Sequence, residues 1–184
     1  MSSITAEQAL VVLREAELLC TPSEVEAALD RLAAAVSVRL ENCDPLVLVV
    51  MKGALFPGAW LLSRLGFPLQ LDYLHVTRYR GDTRGGELAW IAPLQSAIAG
   101  RTVLVIDDIL DEGDTLKAIM GALRQQGAAT VYSAVLVNKQ HARKVSGLEV
   151  DFIGLEVPDR YVFGCGMDYK EYWRQLPAIY AARD

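Results

Sequence analysis

The chain has 184 residues, 18 Lys and Arg against 23 Asp and Glu for a net charge of −5, and 52% apolar against 22% charged residues. That length supports one domain with a sizeable core, and the composition is too apolar for a disordered chain. No apolar run approaches the ~20 residues of a membrane span, and an acidic balance without a long basic block argues against nucleic acid as a partner. The N-terminal stretch lacks a basic segment and its apolar run is interrupted by acids, so no signal peptide is expected. Cys20, Cys43 and Cys165 are odd in number and lack metal-type spacing, which reads as reduced thiols in a cytoplasmic protein.

In chain order, Thr5 or Ser3 is expected to cap a first helix running to about Leu19. Thr21-Pro22-Ser23-Glu24 starts a second, with Ser23 as the expected cap and an end near Leu40. Leu46 to Met51 is a buried strand, Lys52-Gly53 a turn, and Leu55 to Leu65 a helix that tolerates Pro57 near its first turn. Leu69 to Tyr79 alternates as a strand does. Arg80 to Gly86 is a polar, glycine-rich loop, and Leu88 to Ile91 a short strand. Beyond a helix ending near Gly127, Thr130 to Asn138 and Phe152 to Leu155 are further strands, with a turn at Pro158-Asp159. Strands alternating with helices predict βαβ units and an α/β fold with a mostly parallel sheet. All of residues 1–184 form one domain, in which segments 5–40 and 152–184 are expected to make a small hood over the sheet.

The segment from Val103 to Leu116 carries the chemistry. Val103 to Ile106 is a buried strand, and Asp107 and Asp108 stand where it is expected to end. A short loop with Asp111, Gly113 and Thr115 then opens a helix, because Leu116, Ile119, Met120 and Leu123 recur at helical spacing. Ligands of open α/β sheets bind outside the carboxyl ends of strands, and helix N-terminal amides favour phosphate. Carboxylates beside such a cradle point to a metal or a polyhydroxylated group, and a phosphorylated sugar supplies both. The alternative is that these acids merely cap a helix.

The order of this segment (apolar strand, two acids, two apolar residues, Asp111, Gly113, Thr115) resembles the phosphoribosyl pyrophosphate (PRPP) motif of the type I phosphoribosyltransferases. The run from Val157 to Arg174 resembles the C-terminal signature of their hypoxanthine-guanine branch. The resemblance implies the type I phosphoribosyltransferase fold and Mg²⁺-dependent transfer of phosphoribose from PRPP to a 6-oxopurine, in a homodimer or homotetramer. It assigns Asp107 and Asp108 to the ribose hydroxyls and the metal, and Asp111 to the purine N7 proton. Glu112, Gly113, Asp114 and Thr115 would form the 5′-phosphate loop, while Lys52, Gly53 and Arg174 would bind pyrophosphate. Arg78 and Tyr79 would belong to a closing lid. Lys139 would donate to the 6-oxo group, Tyr161 would stack on the purine, the Val162 backbone would read its edge, and Asp168 would hold a second Mg²⁺. Glu112 and Asp114 depart from the family pattern by adding charge beside a phosphate. His75 and His141 are isolated and read as structural or surface residues. Rival readings are a xanthine-guanine enzyme, a pyrimidine-operon regulator that binds RNA, and a fold-mate without catalysis.

Overall fold

In a computed structural model that describes residues 4–78, 88–92 and 94–183, the apolar runs assemble into a sheet ordered β4-β3-β2-β5-β6-β7. These strands are β2 (Leu46–Met51), β3 (Gln70–Arg78), β4 (Leu88–Ala92), β5 (Thr102–Leu110), β6 (Thr130–Gln140) and β7 (Phe152–Pro158). All neighbours are parallel except β3 and β4. Continuous burial of Leu46 to Val50, Val103 to Ile106 and Ala134 to Val137 shows why these runs are apolar on both faces. The chain leaves β2 towards β3 but continues from β5 towards β6 and β7, so the strand order reverses between β2 and β5. Their adjacent carboxyl ends are therefore a topological switch point.

The flanking helices are α1 (Ala6–Glu15), α2 (Pro22–Leu40), α3 (Leu55–Leu62) and α4 (Asp114–Gln125). Thr5 caps α1 and Thr21 caps α2, each in a reciprocal box with Gln8 or Glu24. Ser23 is not the cap. Glu24 lies at the third position after Thr21, and Pro22 suits the first helical position. The first helix ends at Glu15 rather than near Leu19. Residues Glu17–Cys20 form β1, which pairs with β9 (Ile179–Ala181), itself paired with β8 (Val162–Phe163). β1 has its partner about 160 residues away, and β8 and β9 are only two and three residues long, so none of the three leaves a local signal in the sequence. α2 was expected in the hood, but it packs against β7 and α3 and buries Val25, Leu29, Leu32 and Val36 in the main core. β7 likewise belongs to the main sheet.

β5 is longer than expected. Asp107 pairs with Val135, and Ile109 and Leu110 pair with Val137 and Asn138, so the two acids sit within the strand. The still longer β6 keeps the ladder going. Burial raises the thiols of Cys20 and Cys165, the latter to about 12, so both remain protonated, unreactive core groups.

Candidate active site

Two adjoining cavities open at the switch point. The larger, about 450 Å³, is lined by the turn after β2 (Lys52 and Gly53), by Asp107 and Asp108, by the loop from Asp111 to Thr115, and by Arg174. The smaller, about 300 Å³, is lined by Lys139, Tyr161, Val162, Met167 and Asp168. Asp108, Ile109 and Asp111 line both.

The larger cavity is built by close backbone approach. A Cβ on Gly53 would stand 2.2 Å from Oδ2 of Asp108, and one on Gly166 would stand 1.9 Å from the Gly53 carbonyl oxygen. Gly166 also has φ +101°, a conformation open to glycine. The Met51–Lys52 peptide is cis. Arg174 donates from Nη1 to the Gly166 carbonyl (2.7 Å) and from Nη2 to Oδ1 of Asp168 (2.5 Å). Lys52 is largely exposed, with Nζ 3.6 Å from Glu171.

Asp107 and Asp108 carry the strongest electrostatic tension in the site. Burial pushes both carboxyls above their ordinary range, and at Asp107 the neighbouring Asp108 charge adds to it. At Asp108 the nearby Arg174 charge opposes the rise. These hard carboxylate donors, Asp108 buried and Asp107 half-buried, fit a small divalent cation.

α4 starts at Gly113 (φ 89°) with no side chain capping it, unlike α1 and α2. A Cβ there would also strike Leu148 at 2.6 Å and Leu110 at 2.9 Å. The first helical amides have no intrahelical acceptor, and the helix dipole favours an anion beside them. Thr115 shares this end of the cavity. Glu112 and Asp114 also line it, and the Glu112 carboxylate lies 4.0 Å from the Arg143 guanidinium.

At the wall between the cavities, Lys139 Nζ donates to Oδ2 of Asp111 at 2.8 Å, and His141 Nε2 lies 2.7 Å from Oδ1. Partial burial would raise the Asp111 carboxyl, but these two partners outweigh it and hold it below its ordinary value. His141 is neither isolated nor a surface residue, contrary to what its place in the sequence suggests. Its side chain is 4% exposed and touches the central carboxylate. His141 follows the last residue of β6, so no strand period in the sequence placed it beside Lys139. Arg143 makes a two-pronged pair with Asp159 (2.7 and 3.0 Å). Asp111, His141 and Asp159 offer ligand atoms within 4.8 Å of one another, but Lys139 and Arg143 already balance these carboxylates.

In the smaller cavity, the half-exposed Tyr161 ring stands edge-on to Tyr169, with centroids 5.1 Å apart. Val162 is buried in β8. Both oxygens of Asp168 are engaged, Oδ1 by Arg174 and Oδ2 by the Glu171 amide (2.8 Å). Each oxygen keeps a second lone pair, so the carboxylate can also take the metal role that the resemblance implies for it. Arg78 closes β3, and Tyr79, which the resemblance pairs with it as a lid residue, lies outside the described residues.

A family model for the phosphoribosyl transferase domain matches residues 21–171. The chain is 34% identical over 164 residues to hypoxanthine-guanine phosphoribosyltransferase of Bacillus subtilis (strain 168), covering 89% of this chain and 91% of that protein. It is 36% identical over 137 residues to the protein of the same name from Staphylococcus epidermidis, covering 73% of this chain and 76% of that one. The crystal structure of a hypoxanthine phosphoribosyltransferase from Staphylococcus aureus matches with a TM-score of 0.88 at 29% identity, covering 94% of this chain and 95% of that one.

Proposed function

The chain belongs to the phosphoribosyltransferase domain family, and from that premise we propose that it is a purine-salvage enzyme. It transfers the 5-phosphoribosyl group of PRPP to hypoxanthine or guanine, giving IMP or GMP and pyrophosphate. The observation that carries this reading is Asp111, which lines both cavities and is paired with Lys139. A group on that wall faces the sugar on one side and the base on the other.

In this reading the larger cavity takes PRPP. The amides from Glu112 to Thr115 and the Thr115 hydroxyl hold the 5′-phosphate at the α4 terminus, with Gly113 letting the backbone approach. Asp107 and Asp108 hold the ribose hydroxyls and would hold Mg²⁺, which would supply positive charge to balance that of the pyrophosphate. Lys52, the Gly53 backbone and Arg174 bind the pyrophosphate. The guanidinium suits this anion as a two-pronged donor. Asp168 orients Arg174, to which it is bonded, and would hold a second Mg²⁺ beside the pyrophosphate.

The smaller cavity takes the purine. Tyr161 stacks on the ring, and the Val162 backbone meets its far edge. Lys139 turns from Asp111 to the 6-oxo oxygen, and Asp111 accepts the N7 proton. The resting pair keeps Asp111 a weak base, so its basicity rises as Lys139 changes partner.

The exposed apolar side chains of Leu71, Tyr73 and Ile91 along β3 and β4 support a homodimer or homotetramer, which light scattering on the purified protein tests. No helix among the described residues is long and apolar enough to cross a membrane. The deciding assay supplies PRPP and Mg²⁺ with hypoxanthine, guanine, xanthine, adenine and uracil in parallel. Turnover of hypoxanthine and guanine is expected. Turnover of xanthine at a comparable rate would make it a xanthine-guanine enzyme, and failure with all purines would overturn the proposal.

A further inference from the structure

We infer that His141 is a positioning residue for Asp111: it holds one carboxylate oxygen so that the other meets the purine proton. The inference rests on the proposed role of Asp111 and concerns how that carboxylate is kept in place.

Three observations carry it. First, His141 Nε2 lies 2.7 Å from Oδ1 of Asp111, while Lys139 lies 2.8 Å from Oδ2. The carboxylate therefore has one partner on each oxygen. Second, the Arg143 amide donates to Nδ1 of His141 at 3.1 Å. With Nδ1 accepting, the neutral ring carries its proton on Nε2 and donates it to Asp111. Third, the ring is fixed in place. Its side chain is 4% exposed and is not part of the lining of the smaller cavity, and the following Arg143 is clamped by Asp159.

The two donors on Asp111 thus differ in what they can do. Lys139 lines the purine cavity and can exchange Oδ2 for a 6-oxo oxygen. His141 stands behind the carboxylate and stays on Oδ1. When Lys139 leaves, a carboxylate with a single remaining anchor keeps its plane, and Oδ2 is the free oxygen facing the base. As the purine N9 lone pair bonds to C1′ of the sugar, the C1′–oxygen bond breaks and its electron pair leaves with pyrophosphate. The N7 proton passes to Oδ2. Without His141 the carboxylate rotates, and the same proton transfer must wait for the correct orientation.

The test measures single-turnover rates with PRPP, Mg²⁺ and either hypoxanthine or 8-azahypoxanthine, whose ring proton is more acidic. Variants His141→Leu, His141→Gln, His141→Asn and Asp111→Asn are compared, with thermal melting and PRPP affinity measured on each. A hydrogen bond to a charged group corresponds to roughly ten- to a hundredfold in equilibrium or rate. His141→Leu should slow the hypoxanthine reaction by about that factor, with PRPP affinity unchanged. The loss should be smaller with 8-azahypoxanthine, which depends less on an acceptor. His141→Gln, whose amide N–H replaces Nε2–H, should recover most of the rate. Should His141→Leu fail to fold, the shorter His141→Asn takes its place in the comparison. Equal losses with both bases, or no recovery in His141→Gln, would mean that the ring only fills space, and the inference would fall. A normal rate in His141→Leu beside a slow Asp111→Asn would overturn the inference and leave the role of Asp111 standing. A normal rate in Asp111→Asn would overturn both.

Discussion

Gly53, in the turn after β2, meets Asp108 of β5 so closely that a Cβ on Gly53 would stand 2.2 Å from the carboxylate oxygen Oδ2. The contact joins the turn assigned to pyrophosphate with the acid assigned to metal and ribose. It also makes the position intolerant of any side chain. Gly53→Ala must move the Asp108 carboxylate or the turn, and overpacking of this kind costs about 1–3 kcal/mol of stability. The expected outcome is a lower melting temperature together with PRPP binding weakened by about tenfold or more. Calorimetric titration with PRPP at fixed Mg²⁺ checks it, and wild-type affinity would show that the turn yields freely.

The acid pair predicts a metal-dependent pH profile of stability. In the folded chain burial raises the Asp107 and Asp108 carboxyls, so between the unfolded value of about 3.9 and the raised folded value the folded state binds more protons. Metal-free protein should therefore lose stability as pH rises through that interval. Mg²⁺ should restore it, by about 2.7 kcal/mol at a concentration a hundred times its dissociation constant, and more effectively at pH 8 than at pH 5. Asp107→Asn should flatten the metal-free profile and diminish the response to Mg²⁺. Melting curves across pH, with Mg²⁺ or with EDTA, measure both. A Mg²⁺ response that is equal at pH 5 and pH 8 would contradict this account, as would full transferase activity in excess EDTA.

Lys139 offers donors and no acceptor, so it suits a 6-oxo purine and leaves the 6-amino group of adenine unpaired. A site built to hydrogen-bond one group rejects the analogue that lacks it by roughly 10⁴-fold in favourable cases. Adenine should be nearly inert in competition with hypoxanthine. Lys139→Ala should lose rate with hypoxanthine while narrowing that discrimination. Comparable kcat/KM for adenine and hypoxanthine in the wild-type protein would remove Lys139 from this role.

The acidic neighbours of the phosphate loop give the last prediction. Thr115 offers a hydroxyl at the start of α4, whereas Glu112 is drawn towards Arg143. Thr115→Ala should weaken PRPP binding by roughly ten- to a hundredfold, the worth of a hydrogen bond to a charged group. Glu112→Ala should leave binding unchanged or slightly improve it, because like charges beside a phosphate repel. Dissociation constants of both variants at fixed Mg²⁺ decide the matter. Weaker binding in Glu112→Ala than in Thr115→Ala would require Glu112 to act through a cation or a water.

What the sequence determined by itself is the part whose physics is local. Leu46 to Val50 and Val103 to Ile106 are apolar on both faces, so they had to be interior parallel strands. The helical spacing of Leu116, Ile119, Met120 and Leu123 determined where α4 runs, and Gly113 marked its start. The order of Asp107, Asp108, Asp111, Gly113 and Thr115 named the chemistry because one strand, loop and helix carry all five residues. The tertiary structure decided everything that needs a distant partner. Glu17 to Cys20 became a strand because Ile179 to Ala181 lies beside it, and the ladder with β6 drew Asp107 and Asp108 into β5. α2 reads the same in sequence whether it covers the sheet or a hood, and its contacts with β7 and α3 settled its place. The closeness of Gly53, Asp108 and Gly166, the seat of Arg174 between Gly166 and Asp168, and the bond from His141 to Asp111 each join separate elements. No local pattern records such distances, because a side chain's propensity reflects its neighbours along the chain, while its chemistry in the site depends on what the fold brings within a few ångströms of it.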